Sequence, residues 1–174
     1  MDWTDGIVRI IELNTFSNVW YWLIVVGIWS VVSNWLIGVP FDMLFRARRY
    51  GTAELADVEG LVDIHVRRIA AYHHSFGHWL IGLIAFVLSG VGFAGFYYGL
   101  ELGQGLFVLG APLCLIGAIN VRLALELNQT PLAGKDLVHR LFRVRLWTQI
   151  IAMVTMFFTA MYGMYFSLAK LQFF

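Results

Sequence analysis

Apolar residues fill four stretches of the chain almost without interruption, at about 17–39, 79–100, 103–125 and 147–168. Each is close to the roughly 20 helical residues that cross a hydrocarbon core of about 30 Å. None has an acidic residue in its middle. The pattern predicts an all-α integral membrane domain spanning 1–174, with four transmembrane helices.

Between the first two stretches the pattern changes, and region 40–76 reads as amphipathic. Pro40 ends the first helix or opens the next. Phe41, Leu44 and Phe45 then fall on one side, followed by Arg46, Arg48 and Arg49. That arrangement suits a short helix in the headgroup layer, with Gly51 as a left-handed cap. From Ala53 onward, Leu55, Val58, Val62, Val66 and Ile69 recur three or four apart, the stripe of a second helix. Glu54 and Asp57 open it, and Arg67 and Arg68 close it, which matches the helix dipole. Asp63 and Arg67, four apart, add a favourable pair. A turn near Ser75–Gly77 is expected to lead into the second span.

Charge sets the direction. Of 12 Lys and Arg residues, ten fall in the two connections that follow spans one and three or at their edges. Arg9 and Lys170 are the other two, and none lies between spans two and three. The positive-inside rule makes both long connections cytoplasmic and puts both termini outside. Asp2, Asp5 and Glu12 beside Arg9 give no basic leader region, so the first apolar stretch is expected to be retained. Composition agrees with a membrane protein: 13% of residues are charged, 60% are hydrophobic, and mean hydropathy is +0.74. A net charge of +1 gives no field to steer nucleic acid, which is not expected as a partner. The single cysteine, Cys114, allows no internal disulfide and no thiolate cluster.

Four of the five histidines lie in "HVRRIAAYHHSFGHWL", residues 65–80. His74 and His78, four apart, have a spacing that chelates zinc or copper on one helix face, and His73 is beside them. Ser75 and Gly77 fall between the pair and would interrupt that face. Interfacial histidines bonded to headgroups, backbone or water are the reading adopted. No histidine falls inside a span, where a membrane haem takes its axial ligands, so no cofactor is expected.

Polar residues within the spans are mild. Asn34, Asn120 and Gln149, with Arg122 near the cytoplasmic end of span three, read as hydrogen-bonding glue between helices or as the lining of a path. Gly95 and Gly99 form a GxxxG that would let span two approach a helix of the same chain or of another copy. The phosphate-loop, nucleophile-elbow and zinc-protease motifs are absent from the sequence.

The segments "FSNVWYW" (16–22), "SNWLIGVPFDMLFRARRYG" (33–51), "GFYYGLELGQGLF" (95–107) and "GMYFSL" (163–168) together resemble a family of small alphaproteobacterial multi-pass membrane proteins. Some of its members are labelled "component of SufBCD complex". The resemblance implies a bacterial inner-membrane location, in which the charge pattern makes the termini periplasmic. It implies no activity or catalytic residue, and at most the docking of soluble assembly proteins at the membrane.

The sequence therefore reads as a non-enzymatic accessory or scaffold protein. Its expected partners are the lipid bilayer, copies of itself or other membrane subunits, and a soluble cytoplasmic protein. An oligomeric channel or transporter using Asn34, Asn120, Arg122 and Gln149 is the alternative. A metal-binding or redox protein using His73, His74 and His78 is the third.

Overall fold

The computed structural model describes residues 19–36 and 38–171. They form five helices: α1 (Val19–Asn34), α2 (Phe41–Tyr50), α3 (Thr52–Phe96), α4 (Glu101–Gln129) and α5 (Gly134–Leu171). A two-stranded antiparallel hairpin, β1 (Trp35–Leu36) and β2 (Val39–Pro40), joins α1 to α2. The fold is all-helical apart from that hairpin. Helices α3, α4 and α5 are each long and apolar enough to cross a membrane, whereas α1 is a shorter apolar helix of 16 residues.

The largest departure from expectation is α3. The amphipathic stripe and the apolar stretch after it are one uninterrupted helix of 45 residues, about 68 Å long at 1.5 Å per residue. The turn expected near Ser75–Gly77 does not form. A lone glycine costs a helix only about 1 kcal/mol relative to alanine, and a long helix propagates cooperatively through it. The His73 ring lies 3.1–3.4 Å from where a Cβ of Gly77 would stand, so it covers the bare backbone.

The hairpin before α2 was also not anticipated. Pro40 opens α2 with φ −64° and ψ 146°, an extended conformation. Gly38 has φ +71°, and a Cβ there would run into the His65 ring. Only glycine combines that backbone with that contact. His65 Nδ1 is 2.9 Å from the Leu61 carbonyl oxygen, which holds the ring against the turn.

Two cores result. One gathers the basic end: Val58, Val62 and Val66 of α3 meet Leu123 and Leu127 of α4 and Leu137 and Leu141 of α5. Leu44 and Ala47 of α2 close it. The predicted stripe of α3 therefore faces protein. The second core joins α1 to the long helices, through Val25 and Trp29 against Leu109, Ile116 and Ala152. Beyond residue 78, α3 leaves large apolar side chains uncovered, Trp79 at 83% and Phe86 at 76% exposure among them. Such a surface fits contact with lipid rather than water.

At the end away from the basic core, α3 and α4 form a tight helical hairpin. A Cβ on Gly95 would stand 2.5 Å from the Gln104 amide nitrogen, and one on Gly103 would stand 2.8 Å from Gly95 Cα. Both obstructions are backbone, so the helices touch at paired glycines. Gly95 thus meets a helix of its own chain. Gly99 lies beyond the end of α3 with φ +71° and open space around it, so the two glycines do not form one helical face.

Replacing Gly103 by Leu should therefore lower the thermal stability of the purified protein, by about 1–3 kcal/mol or more, as overpacking does. Gly90→Leu, on an exposed position with nothing within 4 Å, should stay within about 0.5 kcal/mol of the parent. Equal melting of the two variants would contradict the close approach.

Candidate functional site

The polar contacts between helices fall into two groups, one at each end of the bundle. At the basic end the connection from α4 to α5 is tied down from three directions. The Thr130 amide and hydroxyl both donate to the Glu126 carbonyl oxygen, at 2.9 and 3.0 Å, and so close α4. Glu59, from the middle of the buried flank of α3, accepts the Gly134 amide hydrogen through Oε1. A carboxylate at the first amide of α5 also suits that helix's dipole. The Glu126 side chain accepts from Arg140 Nη2 at 2.6 Å and from Arg122 Nε at 3.2 Å. These bonds, that of Arg140 foremost, hold its carboxyl below the usual carboxylate range against the opposing effect of burial.

Helix α2 is held against α5 by arginine–aromatic stacking. The Arg145 guanidinium sits 3.6 Å from the Phe41 ring centroid, and that of Arg48 sits 5.2 Å from Phe142. The two rings meet edge to face at 6.4 Å. Such contacts contribute about 0.5–2 kcal/mol each, according to how far they are desolvated.

At the other end the bonds are neutral. Gln104, 7% exposed, donates from Nε2 to the Gly95 carbonyl oxygen at 2.9 Å. That carbonyl is in the last turn of α3, where intrahelical partners run out. The Tyr162 hydroxyl donates to Gln104 Oε1 at 3.0 Å, and the Tyr21 hydroxyl donates to the Gly105 carbonyl oxygen at 3.3 Å. One glutamine, flanked by Gly103 and Gly105, thus stands where α1, α3, α4 and α5 meet. Sequence reasoning missed Gln104. The available signal was a polar residue between two glycines one turn into an otherwise apolar span.

The residues singled out from the sequence are dispersed. Arg122 is exposed and paired with Glu126, and Gln149 is exposed on α5. Asn120 is half-buried on α4, with its Oδ1 buried and unpartnered. The side chain of Asn34 lies outside the described residues. Arg122 and Gln149 face outward on α4 and α5 and do not converge with Asn120. His74 and His78 are both exposed, and the continuity of α3 does put them one turn apart on one helix. His73 is turned to Gly77, His65 to Gly38, and His139 Nδ1 lies 2.9 Å from the Lys135 carbonyl oxygen. Among the described residues no three His, Cys, Asp or Glu side chains converge as a metal site would require.

No protein-family model, curated protein or solved structure matches this chain.

The Glu126 contacts give a pH dependence of definite sign. A carboxyl whose pKa is lowered by folding stabilises above its unfolded pKa, and the effect is lost as pH falls through the folded value. Glu126→Gln should melt below the parent at neutral pH, and the gap should close as both are acidified through the carboxylate range. A gap independent of pH would contradict this role for the carboxylate.

Proposed function

We propose that this chain is a non-enzymatic, four-span protein of the bacterial inner membrane that acts as a scaffold through its cytoplasmic layer. Helix α1 supplies the fourth span. It has no charged residue, and Val25 and Trp29 bury it beside the apolar parts of α4 and α5. Its 16 described residues cover about 24 Å, close to the thickness of the hydrocarbon core. Ten of the 12 basic residues lie on α2, on the first half of α3, near the end of α4 or near the start of α5. The positive-inside rule makes that end cytoplasmic and the termini periplasmic. Helix α2 then lies at headgroup depth.

The observation that carries the reading is that the basic end has its own hydrophobic core, running from Leu44 to Val144 and built on the rigid first half of α3. A layer that merely connected spans would have no need of buried valines at 58, 62 and 66. Away from that core, α3 leaves Ile64 57% and Tyr72 59% exposed. Asp63 pairs there with Arg67 at 2.9 Å, and Arg68 stacks on Tyr72 at 5.7 Å. An apolar centre rimmed by charge is the composition of a protein-binding surface. The occupant is a second copy or a soluble cytoplasmic protein. The resemblance to proteins labelled as components of an assembly complex is in keeping with the latter.

Native mass determination on protein extracted in mild detergent tests this. The parent should run as an assembly heavier than one 19.8 kDa chain. The double variant Ile64→Asp/Tyr72→Asp should fall to the monomer while keeping the helical content of the parent. A monomeric parent, or an assembly indifferent to the double variant, would overturn the proposal.

A further inference from the structure

Between α2, the start of α3 and the start of α5 lies a cavity of about 300 Å³. Its polar lining is Arg48, Arg49, Lys135 and His139, with Leu55 and Phe142 among the apolar walls. No carboxylate lines it. Neither Arg48 nor Lys135 has an ion-pair partner among the described residues, although Arg46, Arg67, Arg122 and Arg140 all do. Gly51 also lines the cavity, at the point where α3 begins with no side chain capping its first amides. The positive end of a helix dipole therefore adds to the basic side chains. His139 Nδ1 is engaged with the Lys135 carbonyl oxygen, which leaves Nε2 as the remaining ring nitrogen.

We propose that this cavity binds a phosphate group, with the headgroup of an anionic phospholipid or a soluble phosphate compound as its source. Arginines give planar forked donors suited to phosphate oxygens, and Lys135 adds a point charge. The Phe142 and Leu55 walls can take the first carbons of a glycerol backbone or an organic phosphate. Basic pockets between helices at the cytoplasmic face bind lipid headgroups by this chemistry. Only the lipid source rests on the orientation proposed above. The phosphate chemistry stands on the cavity alone, and it is independent of whether α3 docks a partner.

The test uses the full chain in nanodiscs of purely zwitterionic lipid, followed by thermal stability on titration with phosphatidylglycerol or, separately, inorganic phosphate. Stabilisation by phosphatidylglycerol but not by inorganic phosphate supports the site with lipid as source. Stabilisation by inorganic phosphate supports it with a soluble source. In either case Arg48→Gln/Lys135→Gln should weaken binding about tenfold or more, since each basic group near a membrane surface contributes about a factor of five. Lys135→Gln alone, on an exposed side chain, should show part of that loss without disturbing the Arg48–Phe142 stack. Arg46→Gln, at an arginine paired with Asp42 and outside the cavity lining, should bind as the parent does. Absence of stabilisation by both ligands, or equal loss in the Arg46 control, would overturn the proposal.

Discussion

A helix of 45 residues is about twice as long as a bilayer's hydrocarbon core is thick, and most of this fold follows from that mismatch. If the apolar half of α3, from about Trp79 to Phe96, lies in lipid, the half from Thr52 must stand outside it. A bare amphipathic rod in water would leave Val58, Val62 and Val66 uncovered. The ends of α4 and α5 extend to meet it, and α2 folds back over it, so all three valines are buried. The layer at the basic end is thus the means by which an over-long helix covers its apolar flank.

Each end of the bundle is locked by chemistry suited to its surroundings. Charged groups hold the basic end, where water or headgroups can solvate what the protein leaves exposed: Glu126 with Arg140 and Arg122, and Glu59 at the start of α5. At the other end, Gln104, Tyr162 and Tyr21 join the helices with neutral bonds, which cost far less to remove from water than ions do. Glycines at 95 and 103 allow the close approach that brings Gln104 within reach of the Gly95 carbonyl.

The long apolar segments were legible because their signal is additive over about 20 residues. The α3 stripe was legible for the same reason, since Val58, Val62 and Val66 keep one period over several turns. The passage through Ser75–Gly77 was misread because one glycine costs a helix little, and the His73 ring, one turn earlier on the same helix, covers its bare backbone. The hairpin at 35–40 depends on Gly38 fitting against His65, a contact between segments 27 positions apart that no local pattern displays. Gln104 was hidden for the same reason: its partners lie on α3 and α5. Gly95 and Gly99 matched a motif, but the end of α3 at Phe96 separated them, and helix ends are the least legible feature of a sequence.

The central claim is that α3 runs unbroken from the core at the basic end into its apolar half. Spin labels at Gly60→Cys and Gly90→Cys, in a Cys114→Ser background and in lipid nanodiscs, test it most directly. Both glycines are exposed with open space around them. Thirty residues of continuous helix put the two backbones about 45 Å apart, so the account predicts a single narrow distance distribution near that value. A broad or markedly shorter distribution would mean that the chain turns between them, near Ser75–Gly77, and would contradict it.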